Sequence, residues 1–453
     1  MGVAPLTTKG KWLQGGLFAV ANLISLLPLL VFATLYHGQS PTAYLPYIFF
    51  YTGTKTGLLL VNGLGDVQNA YRLARNCLWL CTAALILLSV FSQAVIQDTA
   101  AFVLGCGASA FLPAYQAVYY HERRVWHWNF AAIEMLGFVL YGIVTLGLIL
   151  WSGQLTMRVG FWVLLAFVVG GLLFLIRLPQ FAKSPQTPTF VAKTSSRTDL
   201  ELFFWLTAIV FCLRFTRFFA NSLGIVLMVV FTLGFFLFIL RIALHHQIRI
   251  DFPWWLIQSS FINGVYETFA MLYILFAIHN QKLMVGAYIA YGLGLILAQI
   301  VRQAIQNKFR HIANLQLQLI GFMLGGWLMI IPSISAAGFF LIGFIGSANS
   351  ILLNHQVYRF NISTPANRLA VKYRNAYLGS ILLQAMLVFG GLIAALLSHT
   401  DLTRLFDQAN AHSSIVISDS LVQLVSLGIV VILTIVTFVL GRRLPRINER
   451  KLL

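Results

Sequence analysis

Charged residues are scarce in this sequence. Asp, Glu, Lys and Arg make up 9% of the 453 residues, against 59% hydrophobic, and no water-soluble globular domain hides that much apolar surface. Acids are the scarcest: 12 Asp and Glu stand against 30 Lys and Arg, a formal net charge of +18. A nucleic-acid partner does not account for this excess, because the basic residues fall in short groups between apolar runs and not along one face. Cysteine is limited to Cys77, Cys81, Cys106 and Cys212, all in apolar segments without CxxC spacing. Cys77 and Cys81 can share a helix face, but packing is the role this pattern implies, not metal binding or a disulfide. A Walker lysine motif, zinc-ligand spacing and a serine nucleophile elbow are all missing, so no cofactor, metal or ATP site is expected.

Long apolar runs are what the sequence has instead. About 20 apolar residues cross the roughly 30 Å hydrocarbon core as a helix. Candidate spans lie at 12–36, 43–65, 74–96, 99–120, 128–151, 157–178, 201–220, 222–244, 253–278, 282–305, 312–332, 335–357, 374–398 and 416–441. Unbroken runs of this length exclude a β-barrel, whose strands would alternate polar and apolar side chains. The first run is longer than a secretory h-region and has no small-residue cleavage site, so it is read as the first span. Arg214 and Arg217 interrupt the run at 201–220, which predicts a short or tilted helix there.

Loop charge sets the expected orientation. With the N-terminus inside, the inner segments carry 24 Lys and Arg and the outer ends 5, namely Arg158, Arg214, Arg217, Lys282 and Arg404, with Lys55 left inside a span. Both termini are therefore expected in the cytoplasm. The absence of organelle signals points to a bacterial plasma membrane.

Two interior boundaries stand out. The stretch from Leu178 to Asp199 holds three prolines with Ser, Thr, Lys183, Lys193 and Arg197, the composition of a cytoplasmic linker. A basic segment, His245 to Arg249, precedes Pro253, and proline suits the first turn of a helix. The expected organisation is a six-helix bundle over 1–178, a linker over 179–200, an inserted helix pair with a basic loop over 201–252, and a second six-helix bundle with a basic tail over 253–453. Five of the six corresponding span starts differ by 236 to 246 residues and the last by 259, where an outer loop from Asp401 to His412 intervenes. Gln68-Asn69-Ala70-Tyr71-Arg72 is matched by Gln306-Asn307-Lys308-Phe309-Arg310 at an offset of 238. The fold class expected is thus all-α and polytopic, two pseudo-symmetric six-helix bundles with two additional helices inserted between them.

This plan, with a basic loop after the second helix of each half, resembles the 14-helix members of the major facilitator superfamily. The superfamily's G-x-x-x-D-[RK]-x-G-[RK]-[RK] stretch compares with Asn62 to Arg72, where Asp66 matches the acid and Arg72 a displaced base. Asn62 and Asn69 replace the two glycines, and Phe138 to Gly142 lacks the Gly-Pro signature of the antiporter branch. The resemblance implies secondary transport by alternating access. It places the first, fourth, ninth and twelfth spans around a central cavity, with the inserted pair outside the core.

Ionisable groups deep in a membrane are costly and mark function. Glu267 and Lys55 fall near the middle of their spans, and Glu134 nearer an inner interface. Glu267 is read as a substrate-binding or proton-coupling acid with Lys55 opposite it in the other half, and Glu134 as a further candidate or as a partner of Arg123 or Arg124. Asn22, Tyr115, Gln116, Gln258, Asn263, Tyr266, Asn349 and Asn354 lie on the spans that the resemblance puts at the cavity, each also explicable as an interhelical hydrogen bond. A cavity with few charges favours an amphipathic or lipid-like substrate, with protons as a coupling ion and the bilayer as the other partner. Asp66, Arg72, Arg123, Arg124, Arg310 and Arg368 are expected in loops that gate the cytoplasmic side, and Arg442 to Arg446 in a tail that can touch anionic headgroups. Two other readings fit the helix count. One is a 14-helix flippase of the multidrug/oligosaccharidyl-lipid/polysaccharide superfamily, whose extra helices follow the core. The other is a membrane transferase, for which the loops supply no recognisable acid or histidine arrangement.

Overall fold

The computed structural model describes residues 7–35, 45–65, 67, 69–126, 132–152, 157–177, 197–219, 222–244, 253–277, 281–308, 314–359, 365–397 and 419–441. Asp66, Arg310, the linker up to residue 196, the loop 401–412, the segment 245–249 and the basic tail after 441 lie outside the described residues, as do the side chains of Arg123 and Arg124. The described secondary structure is helical. In order the helices are α1 (Thr8–Leu23), α2 (Leu27–Leu35), α3 (Leu45–Leu64), α4 (Ala70–Val90), α5 (Ala94–Trp126), α6 (Ala132–Ser152) and α7 (Met157–Arg177). There follow α8 (Arg197–Phe219), α9 (Ser222–Leu244), α10 (Trp254–Ala277), α11 (Gln281–Lys308) and α12 (Asn314–Met329). A short 3-10 turn, Pro332–Ile334, leads into α13 (Ser335–Arg359), and α14 (Pro365–Leu397) and α15 (Asp419–Gly441) complete the order.

Three expectations are corrected. The first span is two helices, because Pro28 has no N–H to give and its ring crowds the carbonyl four residues earlier. The chain tightens there, with Leu26 N–H donating to Leu23 O at 2.9 Å before α2 resumes. Second, Glu122, Arg123 and Arg124 are not in a loop: α5 runs 33 residues, through Pro113, to Trp126. Third, the stretch Arg368 to Arg374 is helical, since α14 starts at Pro365 and not near residue 374. Proline suits a first helical position because the N–H it lacks has no intrahelical acceptor there. Arg72 likewise stands in the first turn of α4, where Asn69 Oδ1 caps the helix by accepting from Arg72 N–H at 3.0 Å.

Where the apolar side chains point identifies the solvent. Among the described residues, six helical stretches are long and apolar enough to cross a membrane: Ala70–Val90, Ala94–Glu122, Ala132–Ile149, Arg158–Arg177, Pro332–Tyr358 and Leu424–Gly441. Ala132–Ile149 and Leu424–Gly441 are each only 28% buried, so Leu140, Ile143, Val144, Leu424 and Ile435 face outward. A helix that is apolar on its exposed face is solvated by lipid. The chain is an all-α, multi-pass membrane protein.

The chain divides into two compact units, one comprising 1–215, 226–247 and 360–371 and the other 216–225, 248–359 and 372–453. In the first, α5 packs on α3 and α4, α1 on α6, and α7 on α4. Its core includes Leu17, Phe32, Phe50, Leu85, Phe111, Tyr115 and Phe161. In the second, α13 packs on α11, α12 and α10, and α15 on α12, around Tyr266, Phe269, Phe322, Phe339 and Ile342. Apolar burial does not drive helix association in lipid, so close backbone approach has to. Gly264 of α10 lies against the carbonyl of Ala376 in α14, and Gly379 of α14 against that of Phe261, with no room for a side chain at either. Gly264→Leu is expected to prise these helices apart, at a cost of at least about 1–3 kcal/mol, and to abolish the monodisperse peak on size-exclusion chromatography. Gly286→Ala, where the added carbon meets nothing within 4 Å, is expected to elute unchanged.

Candidate functional site

Glu267 is the acid around which the second unit gathers polar groups. On α10, Ser259, Asn263 and Glu267 recur every four residues and so share one face of the helix. Asn263 Nδ2 donates to Glu267 Oε1 at 2.7 Å. The Oδ1 of that same Asn263 accepts from Asn349 Nδ2 of α13 at 3.2 Å, and Asn349 Nδ2 also reaches Ser259 O at 3.4 Å. Hydrogen-bond donation thus runs from Asn349 through Asn263 to the carboxylate, fixing the rotamer of each member. Asn263 and Asn349 are buried at 3% and 2% exposure while Glu267 remains half-buried. Gly346, one turn before Asn349, provides the space: a Cβ there would stand 2.9 Å from Glu267 Oε1.

A cation completes the group. Lys372 of α14 is 1% exposed, its Nζ donates to Ser350 Oγ of α13 at 2.6 Å, and it lies 4.1 Å from the centre of the Tyr373 ring. Lys372 and Glu267 are close enough to interact electrostatically, as are Glu267 and Tyr291 of α11. Along α13, Gly343 thus meets α11 at Tyr291, Gly346 and Asn349 meet α10, and Ser350 meets α14. Thr268 Oγ1 donates to Ser380 Oγ at 2.7 Å, tying α10 to α14 on the neighbouring face.

Glu267, Asn263 and Asn349 come together as one cluster. Tyr266 faces elsewhere, stacked on Phe322 at 5.0 Å between ring centres and within 3.3 Å of Thr437 Oγ1 on α15. Gln258 and Asn354 are buried. In the first unit, Asn22 is exposed and its amide is turned back on Phe18 O of its own helix, at 2.8 Å. Tyr115 is fully buried between Phe111 and Tyr119, and Gln116 is half-buried on the same helix. Glu134 is buried in the first turn of α6, where a carboxylate complements the helix dipole. Lys55 reaches over the ring of Tyr51, 5.5 Å from its centre. Arg72 is exposed, whereas Arg368 is buried at 5% exposure, one turn before Lys372. Lys372, Ser350 and Tyr291 were not singled out from the sequence, although a proline followed by a basic run offered a helix start whose first turns could turn inward.

No family model and no curated protein matches the sequence. Solved structures match the fold over nearly the whole chain. The chain resembles the POT family transporter PepTSo at 12% identity, covering 96% of each chain with a TM-score of 0.57. It resembles the E. coli fucose:proton symporter FucP at 11% identity, covering 96% of this chain and 97% of that one with a TM-score of 0.52. The proton:xylose symporter XylE of the major facilitator superfamily matches at 9% identity over 93% and 94% of the two chains, with a TM-score of 0.50. The chain shares the fold of these transporters. At these identities the likeness carries the fold alone, so the chemistry has to be argued from the residues of this chain.

Proposed function

We propose that the protein is a secondary active transporter that moves an amphipathic or lipid-like small molecule by alternating access, with Glu267 as the proton-coupling acid. The observation that carries this reading is the cluster in the second unit: a half-buried carboxylate at the end of a chain of amide donors, with a fully buried lysine in electrostatic reach. A proton taken up by the carboxylate, from the lysine or from water, removes its charge in the apolar bundle and its release restores it, and such groups in membranes mark ion pathways. FucP and XylE, which share the fold, are proton symporters. The cation that interacts with Glu267 within its own unit is Lys372, so in this reading Lys372 replaces Lys55 as its counterpart. An apolar bundle with few charges around this cluster suits a substrate whose body is apolar and whose polar group engages it.

A 6+2+6 plan with both termini cytoplasmic accompanies this reading. In both units the second helix of the proposed repeat packs on the fourth, the third on the fourth and sixth, and the first on the sixth. Gly105 of α5 lies against Phe50 O of α3, and Gly343 of α13 against Tyr291 O of α11. These two glycines stand at the 238-residue offset of the matched Gln-Asn segments. The fold likeness favours this plan over the flippase and leaves the transferase without support.

The test is thermal stability of the purified protein against lipids, glycolipids and amphipathic cations at several pH values. One class is expected to stabilise the protein in a pH-dependent way and then to be accumulated by proteoliposomes under an imposed proton gradient. Stabilisation that is flat in pH, with uptake indifferent to the gradient, would remove the coupling role.

A further inference from the structure

Arg214 of α8 is a buried cation that the proposed transport site does not use. Its side chain is 4% exposed, and its guanidinium carbon lies 3.6 Å from the ring centre of Tyr51 and 5.9 Å from that of Tyr47, both on α3. Nε and Nη1 are buried without a hydrogen-bond partner, and no carboxylate pairs with the group among the described residues. The Tyr51 and Tyr47 hydroxyls also hydrogen-bond the side chain, yet Nε and Nη1 stay unmet among the described residues, and buried donors of a cation left without an acceptor are costly in a bilayer. A second cation is close by. Lys55, one turn beyond Tyr51, extends back over that same ring, in the direction in which helical side chains tilt. Two cations drawn to one aromatic ring concentrate positive charge there, which favours an anion at the unmet Arg214 donors.

We propose that Arg214, Lys55, Tyr47 and Tyr51 form a binding site for a phosphate-type oxyanion, supplied by the headgroup of an anionic phospholipid. A guanidinium with two free donors matches phosphate oxygens in a fork, which neutral choline lipids present with a compensating positive charge. Depth supports a lipid source: Tyr47 is two residues inside the start of α3 and Arg214 five residues before the end of α8, about 3 and 7 Å from the helix ends. Exposed apolar side chains on α8 and α9, among them Phe204 and Leu237, provide a track for acyl chains. In this arrangement the lipid joins α8 to α3, beside the direct contact of Phe211 with Phe49 at 5.1 Å.

The full-length protein is tested by native mass spectrometry after delipidation, with phosphatidylglycerol and phosphatidylcholine added in turn, and by thermal stability in vesicles of each lipid. Wild type is expected to retain phosphatidylglycerol preferentially. Arg214→Gln is expected to lower that preference by about fivefold or more, the weight of a basic side chain at a lipid surface, and Lys55→Gln to lower it in part. Arg158→Gln, at an exposed residue, serves as the charge-matched control and is expected to behave as wild type. Lys55→Gln and Tyr51→Leu provide the readout if Arg214→Gln does not fold. Stabilisation by inorganic phosphate in phosphatidylcholine vesicles, without a preference among lipids, would keep the oxyanion site and assign it to a free anion. Equal retention of both lipids by wild type without a phosphate effect, or undiminished preference in Lys55→Gln and Tyr51→Leu, would overturn the proposal. None of these outcomes bears on Glu267.

Discussion

Glu267→Gln is expected to remove the pH dependence of substrate binding and the ability to accumulate substrate against a gradient. The substituted amide has nearly the shape of the carboxyl group, and its oxygen can still accept from Asn263, so the chain of donors from Asn349 survives. What it cannot do is take up and release a proton. Substrate accumulation in proteoliposomes under an inward proton gradient is expected to fall by about 5- to 150-fold, the span of a typical coupling free energy between two sites. Exchange of labelled for unlabelled substrate without a gradient is expected to persist, since it needs binding and conformational change but no net proton movement. A variant that still accumulates substrate like wild type would make Glu267 a structural residue and leave the fold assignment untouched.

The second large effect is expected at Lys372. Lys372→Met fills similar space but removes the buried cation that interacts with Glu267, and because Glu267 is only half-buried the loss of stability is expected to stay below the about 3–5 kcal/mol of a fully buried pair. The double variant Glu267→Gln with Lys372→Met removes both charges and is expected to recover most of that loss, since a neutral pair of similar volume has no desolvation deficit. Thermal unfolding of the four proteins forms a double-mutant cycle. A coupling close to zero would show that the lysine is held by Ser350 and Tyr373 alone, and would detach it from the site. Accumulation against a gradient is expected to stay low in the double variant even where stability returns, because restoring neutrality does not restore a proton carrier.

Part of the site was legible because it lies along one helix. Asn263 and Glu267 are four residues apart on an apolar span, so their contact follows from helical geometry, and Ser259 extends the face by another turn. Asn349 could be suspected as a polar residue in a span, but the partner it bridges is 86 residues away, a distance across which no local periodicity reaches. Lys372 was hidden by its neighbours. Arg368, Lys372 and Arg374 together have the composition of a loop that sets orientation, and only the helix beginning at Pro365 turns Lys372 inward onto Ser350. Arg214 was counted as an outer-end charge for the same reason, and the tyrosine rings that receive it stand on another helix. The span over 99–120 does continue through Pro113, whereas the break beside Pro28 within the first span was not expected. Whether proline interrupts a helix depends on what its neighbours do for the carbonyl it leaves unbonded.

The sequence by itself determined the solvent and the fold class, because lipid demands long apolar helices with every backbone group paired inside them, and composition and run length record that demand directly. The tertiary structure decided which polar side chains meet. In a membrane bundle the partner of a buried charge is chosen by where helices touch and by which glycines let them approach, and those contacts join residues that the chain separates by whole helices.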